Sequence, residues 1–368
     1  MESASSMSEY QKLINFIKVG KLDLYFVISM PRTRSTALHL CLSQGPEING
    51  QICHPMNSGI FARSQNPEFR FNDFRDSIVN ISVEEVSSRI NKIVTPVIQQ
   101  YGNAKFVVNE HAKFLTPEHL PFLLDISKNF IFSIRDPRIQ FLSHMIRVIN
   151  ECFLEDNSKD EKCFGAEDII MFLKAYCVSS QELEQKLNET ITQKKIKIYK
   201  GDIWHKYTGG HESSSPKTPV VDIFIRVFLF LLKEIEVTWD NTTNTLEYLL
   251  HSPQEIKLLS VDSEMFVKDP FTVVQNITTQ IKGIGFSEQM VTKWNKDTRK
   301  KFVCFIYPKE EEKNNAWSGP AINSTQITNK NDSTRGILLD PKEVPESLGK
   351  LLLKADEIYK AVLKYSVV

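Results

Sequence analysis

The sequence offers few bulk properties that would place it. Its 45 basic and 45 acidic side chains cancel, so no global field argues for nucleic acid or an anionic membrane, and any anion site has to be local. Long apolar runs are missing as well. The most apolar stretch, Val227 to Leu232, is bounded by Arg226 and Lys233 and falls far short of a membrane span. The opening residues MESASSMSEYQKL carry no basic region followed by an apolar one, so no signal peptide is expected. The six cysteines, Cys41, Cys53, Cys152, Cys163, Cys177 and Cys304, are scattered and lack zinc-ligand spacing, which reads as free thiols in a reducing, cytoplasmic compartment. No EF-hand, His-x-x-x-His or Cys-x-x-Cys pattern occurs, so no metal is expected. No internal repeat is found.

What is present is a long chain rich in phenylalanine. The 368 residues include 23 Phe, and a chain of this length buries roughly three quarters of its extended surface. Glu9 to Val19 has the spacing of a short amphipathic helix. Leu24 to Ser29 is β-biased and runs into Pro31-Arg32-Thr33-Arg34-Ser35-Thr36, after which Leu38, Cys41 and Leu42 return at helical spacing. That pattern is strand, tight turn, helix. Gly45 to Asp76 reads as a long irregular connection. Ser82 with Glu85 three residues on has capping-box spacing for a helix to Gln100. Lys105 to Val108 reads as a second strand, and Thr116-Pro117-Glu118 as a helix start with proline at its first position. Asn129 to Ile134 is a third strand, followed by a helix from Pro137 to Cys152. Strands alternating with helices across short joins imply a mostly parallel sheet covered on both faces, a three-layer α/β sandwich.

The pattern changes between 153 and 252. A polar linker leads to a helix over Glu167 to Asn188, then to the basic KKIKIYKGDIW, a Gly/Ser/Pro stretch, and an apolar helix over Val221 to Val237. We read this as a mostly helical insertion within a single domain spanning 1–368, able to form the wall of a second substrate site. Alternation resumes with a strand at Ile256 to Val261 ending in Asp262, then helices over Pro270 to Gln280 and Ser287 to Thr298. Residues 308–336 form a polar loop or lid that contains Trp317-Ser318-Gly319-Pro320, and Leu348 to Tyr365 closes the chain as an amphipathic helix.

Two stretches carry chemistry. In the first, the hydroxyls of Ser35 and Thr36 and the unpaired amides of an opening helix point to one spot beside Arg32 and Arg34, a spot suited to a polyanion. In the second, the third strand delivers Arg135-Asp136-Pro137-Arg138, and Ser143 stands eight positions after Arg135. Helical rise puts Ser143 about 10 Å along the axis, within reach of a phosphate shared with a long arginine. Asp136 and Asp262 are expected to orient an arginine or cap a helix rather than bind a metal.

Together, PRTRSTAL and IRDPRIQFLSH resemble the sulfotransferases that use 3′-phosphoadenosine 5′-phosphosulfate, most of all the bacterial sulfotransferase-like proteins with a Pro-Arg-Ser-Arg-Ser-Thr loop. The likeness continues through VVNEHAKFL, LLSVDSEMFVKDPFTVVQNI, IGFSEQMVTKW and the Trp317 to Pro320 segment. It implies a P-loop NTPase-like fold and a nucleotide co-substrate without a metal. By that resemblance Arg32, Thr33, Arg34, Ser35 and Thr36 hold the phosphosulfate, and Arg135 with Ser143 holds the 3′-phosphate. The more usual family loop has Gly where Arg34 stands, so its side chain either fills part of the anion site or supplies charge to it.

Sulfuryl transfer needs charge stabilisation at the departing nucleotide, which suits Arg32 and Arg34, and a base for the acceptor proton. The candidates for that base are His54, Glu110 and His111. Related sequences often carry Glu before the proline that follows His54, and an imidazole can substitute. The implied acceptor is a hydroxyl or amine on a small molecule, carbohydrate or protein. Two other functions stay open: a kinase or other phosphoryl transferase, against which the loop lacks Gly-Lys-Ser/Thr, and a degenerate member that binds nucleotide without chemistry.

Overall fold

Five short apolar runs form one sheet, and every pair of neighbours in it is parallel. The computed structural model describes residues 7–57, 81–153, 164–196, 220–292, 334 and 336–367. The strands are β1 (Leu22–Ser29), β2 (Gly50–Cys53), β3 (Ala104–His111), β4 (Asn129–Ile134) and β5 (Lys257–Asp262). Their spatial order is β2-β3-β1-β4-β5. β1 is therefore central, with Ser29 level with His111 of β3 on one side and with Ser133 of β4 on the other.

Alternation along β1 builds the three layers, because successive side chains leave a strand on opposite faces. Leu24, Phe26 and Ile28 enter one apolar cluster with Phe106, Val108, Phe130 and Phe132. That face is covered by α1 (Glu9–Lys18), α3 (Val83–Tyr101), α4 (His119–Ile126), α5 (Pro137–Phe153) and α12 (Glu346–Leu363). Tyr25 and Val27 point the other way and join Val107 and Ile131. There they meet α2 (Ser35–Leu42), α9 (Ser263–Lys268), α10 (Pro270–Gln280) and α11 (Gln289–Thr292). The result is a three-layer α/β sandwich. The outer edge of β5 is met by the last residues of the described chain: Ser260 N donates to Tyr365 O at 2.8 Å and Val367 N to Ser260 O at 3.1 Å, which pairs backbone groups that an edge would leave open.

Helices α6 (Ala166–Val178), α7 (Ser180–Lys194) and α8 (Val220–Leu250) come from the segment read as an insertion. Their apolar side chains belong to the first cluster, through edge-on contacts such as Phe172 with Phe224 at 5.7 Å and Phe141 with Phe228 at 6.2 Å between ring centroids. A fully buried phenylalanine stabilises the fold by about 1.5 to 3 kcal/mol through the area it removes from water. No helix among the described residues is long and apolar enough to cross a membrane.

Several elements depart from the sequence expectation. The connection after α2 contains β2, four residues buried on both faces and therefore without the alternation that marks a strand. Gly50 is needed there, since a Cβ would come within 2.5 Å of the Phe106 ring. Strand β3 continues past Val108 to His111. The helix expected to open at Pro117 begins at His119 instead; Pro117 lies in a turn whose bonds run from His119 N to Thr116 O and from Leu120 N to Pro117 O. One helix expected over 167–188 is two, α6 and α7, because Ser179 is extended and its hydroxyl accepts from Glu182 N at 3.0 Å. Helix α8 outruns its expected end at Val237 by more than three turns. Ser82 caps α3 by accepting from Glu85 N at 3.2 Å. The polar linker after 153, the basic stretch from 197 on and the Gly/Ser/Pro stretch, Cys163, Cys304, the end of the helix expected to reach Thr298, and Trp317 to Pro320 with most of 308–336 lie outside the described residues.

Candidate functional site

The sheet's connections part at the carboxyl ends of β1 and β4. The chain leaves β1 toward the β2 side and leaves β4 toward the β5 side, which is the topological switch point at which open α/β sheets take ligands. The turn after β1 is unusual in its backbone: Arg32 has φ 67° and Arg34 φ 57°, the left-handed region that non-glycine residues enter at a cost of about 1 to 2 kcal/mol. Arg34 is also the N-cap of α2, and its side chain makes no capping bond to that helix start.

Side chains from β4 and α5 hold the turn in place. Ser133 donates to Thr33 O at 3.1 Å, and Gln140 Nε2 donates to Pro31 O at 2.9 Å. The Thr33 hydroxyl donates to Met30 O at 2.9 Å. Arg135 Nη1 reaches Arg32 O at 3.4 Å, and Arg32 Nε donates to Ser143 Oγ at 3.3 Å. The two arginine-bearing stretches thus touch, at the carboxyl end of the sheet. Ser35 and Thr36 open α2 beside them, with Ser35 buried and Thr36 half-buried.

Arg135 is only 1% exposed. Its Nε and Nη2 lie 2.8 and 2.7 Å from Glu264 Oε1, and Nη2 is 3.4 Å from the Thr334 hydroxyl. Glu264 also stands 3.7 Å from Arg34 Nη1, which in turn donates to Ser263 O at 3.0 Å. Ser143 therefore bonds Arg32, while Arg135 bonds a carboxylate from the first turn of α9. Asp262 caps that helix, accepting from Glu264 N at 2.8 Å and Met265 N at 3.0 Å, and it accepts from Tyr359 Oη at 2.6 Å. Burial and that carboxylate push the Tyr359 hydroxyl well above its ordinary pKa. Asp136 binds Arg138, through Nε at 2.9 Å and Nη2 at 2.5 Å.

The three base candidates form one cluster at the ends of β2 and β3. Glu110 is fully buried. Its Oε2 accepts from Met56 N at 2.7 Å, and its Oε1 accepts from His111 N at 2.8 Å and lies 3.3 Å from His54 Nδ1. His54 has φ 53°, its N donates to Asn109 O at 2.7 Å, and its ring stacks on His111 with centroids 4.2 Å apart. His111 Nδ1 lies 3.1 Å from the Ser29 hydroxyl at the end of β1, linking this cluster to the start of the arginine turn. Burial, then the neighbouring His54 and Lys113, hold the His111 pKa well below its ordinary value. Behind it, Glu234 of α8 is paired with Lys113 and lies 3.8 Å from His144 Nε2, so a helix from the 153–252 segment contributes a buried carboxylate beside the site.

Glu264, Gln140, Ser133 and Thr334 went unnoticed in the sequence. Glu264 alone had a signal there, two residues past a strand-end aspartate. Among the described residues no group of three or more His, Cys, Asp or Glu side chains is placed to hold a metal ion. Cys41 and Cys53 are buried and Cys177 is exposed.

No family model, curated protein or solved structure matches this chain.

Proposed function

We propose that the chain is a sulfotransferase that moves a sulfuryl group from 3′-phosphoadenosine 5′-phosphosulfate to a hydroxyl or amine of an acceptor. The observation that carries this is the meeting of the two arginine-bearing stretches at the switch point, through Arg32 and Ser143. One doubly anionic nucleotide is the ligand such a pair suits. Arg34 and Arg135 share the carboxylate of Glu264, and Arg32 stands beside them on Ser143; guanidinium groups gathered in this way suit phosphate and sulfate oxygens.

In the reaction the acceptor oxygen or nitrogen forms a bond to sulfur, the bond from sulfur to the bridging phosphate oxygen breaks, and adenosine 3′,5′-bisphosphate leaves. Arg32, Arg34 and the first amides of α2 stabilise the charge that grows on the departing oxygen. His54 takes the acceptor proton. Its Nδ1 faces Glu110, and with the proton on that nitrogen the Nε2 lone pair is left as the base. Glu110, fully buried and fixed by two backbone amides, acts as the positioning residue of His54.

Calorimetry tests the nucleotide assignment. Adenosine 3′,5′-bisphosphate should bind, and Arg135→Ala should weaken binding by about 1.5 to 3 kcal/mol, the worth of a charge-assisted contact. Equal affinity in the two proteins removes the assignment. His54→Ala should keep donor binding and lose desulfation of the donor across an acceptor panel. Donor binding by the unaltered protein with no desulfation by any acceptor supports a non-catalytic nucleotide binder instead.

A further inference from the structure

We infer that Tyr359 is a positioning residue of the anion site, setting the first turn of α9 against Arg34 and Arg135 through the carboxylate of Asp262. The inference deepens the proposed function, since it rests on an anion binding at those two arginines.

The contacts form a chain that starts behind the site. Leu352, Ala355 and Val362 of α12 are buried, and Tyr359 falls on the same face at helical spacing. That face brings the phenol to the carboxyl end of β5, where Tyr359 Oη donates to Asp262 Oδ2 at 2.6 Å. Burial and Asp262 keep the phenol protonated, so it remains a donor. Asp262 is 7% exposed and divides its oxygens. Oδ2 takes the phenol, while Oδ1 accepts from Glu264 N at 2.8 Å and from Met265 N at 3.0 Å. One carboxylate therefore ties α12 to the start of α9.

Strand register carries the last link. Asp262 is level with Ile134, so Ser263 and Glu264 leave the sheet beside Arg135. Ser263 O accepts from Arg34 Nη1 at 3.0 Å, and Glu264 Oε1 lies 2.8 Å from Arg135 Nε and 2.7 Å from its Nη2. A shift of this turn moves the groups that aim both guanidiniums. Without the phenol, Oδ2 of a buried carboxylate is short of a donor, and rotation to recover one turns Oδ1 away from the two amides. A helix of six residues is held by its ends and its packing rather than by its own ladder, so the rotation is passed on to Arg34 and Arg135.

The test titrates adenosine 3′,5′-bisphosphate and inorganic pyrophosphate into the unaltered protein, Tyr359→Phe, Arg135→Ala and the double variant. Tyr359→Phe keeps the ring and deletes the hydroxyl. It should weaken binding of both probes by about 5-fold or more, part of the worth of a hydrogen bond to a charged group. The same substitution made in Arg135→Ala should cost less, because one of the two guanidiniums it aims is gone. A tyrosine that only supports the fold would lower stability and leave the affinity of the folded protein as it was. Unchanged affinity for a probe that binds overturns the inference, as does an equal loss in the two backgrounds.

The two probes separate this inference from the nucleotide assignment. If the bisphosphate binds the unaltered protein and Tyr359→Phe equally, the nucleotide stands and the positioning falls. If pyrophosphate binds and is weakened as expected while the bisphosphate binds to neither protein, the positioning stands and the nucleotide falls. Binding of neither probe to the unaltered protein rejects both. A second measurement needs no substitution. Coupling between two sites is reciprocal, so a bound probe at saturation should slow amide hydrogen exchange over 356–363 of α12 in the unaltered protein. Unchanged exchange there overturns the positioning whatever the variants do.

Discussion

Arg32 Nε donates to the hydroxyl of Ser143 at 3.3 Å, joining the turn after β1 to the helix after β4 across the switch point of the sheet. Ser143 lies two turns inside α5, so a bond made there depends on the angle at which that helix leaves β4 as well as on the turn itself. The two residues should accordingly act as one unit toward a phosphorylated ligand. We expect Arg32→Ala and Ser143→Ala each to weaken binding of adenosine 3′,5′-bisphosphate, with the double variant falling short of the summed losses by about 1 kcal/mol, as for residues sharing a hydrogen bond. Calorimetric titration of the four proteins measures it. Losses that simply add would mean that the bond does not persist in the complex.

Much of this arrangement was readable before the structure, for reasons that differ by element. Strand β4 and helix α10 have the ends expected of them, since NFIFSI is bounded by polar residues and Asp269-Pro270 is a strong helix start. The extent of α8 was not legible. Its second half is rich in threonine and asparagine, which read as loop, yet the hydroxyls of Thr238, Thr242 and Thr245 donate to carbonyls four residues back at 2.6, 2.8 and 2.7 Å, so the helix satisfies them internally. In the site, the two arginine stretches were legible because each is a short motif beside a strand end. The partners were not. Glu264 is 129 residues from Arg135 and His54 is 56 from Glu110, contacts that only the strand order creates.

The turn after β1 stores strain that a pair of substitutions can separate from side-chain chemistry. Arg34 has φ 57°, and both Arg34→Ala and Arg34→Gly delete its contacts with Ser263 and Glu264. They differ in backbone alone. Glycine adopts the left-handed region without steric cost but loses more freedom on folding, so the glycine variant should be the more stable of the two by about 0.5 to 1 kcal/mol after that offset. Urea unfolding of both proteins checks this. An alanine variant as stable as the glycine variant would show that the turn relaxes out of the left-handed region once the arginine is gone.

Acid should destabilise the fold through a buried histidine of α2. His39 of α2 is fully buried, its Nε2 is 3.0 Å from Val107 O, and its pKa is lowered from 6.5 to about 4, first by burial and further by the nearby His54, against a smaller opposing effect of the Val107 carbonyl. Above pH 6.5 His39 is neutral in both states and has no effect on the pH dependence. Between 6.5 and about 4 the unfolded chain binds a proton that the folded one does not, so stability falls as the pH falls, by about 3 kcal/mol over that window, and the loss levels off below it. His111, also held low by burial, acts in the same direction. We expect the urea midpoint of the unaltered protein to drop steadily across this range and that of His39→Gln, which keeps a donor toward Val107, to drop less. The slope is the measure, since the substitution also changes packing at every pH. Parallel slopes for the two proteins would mean that His39 reaches solvent and takes up its proton without unfolding.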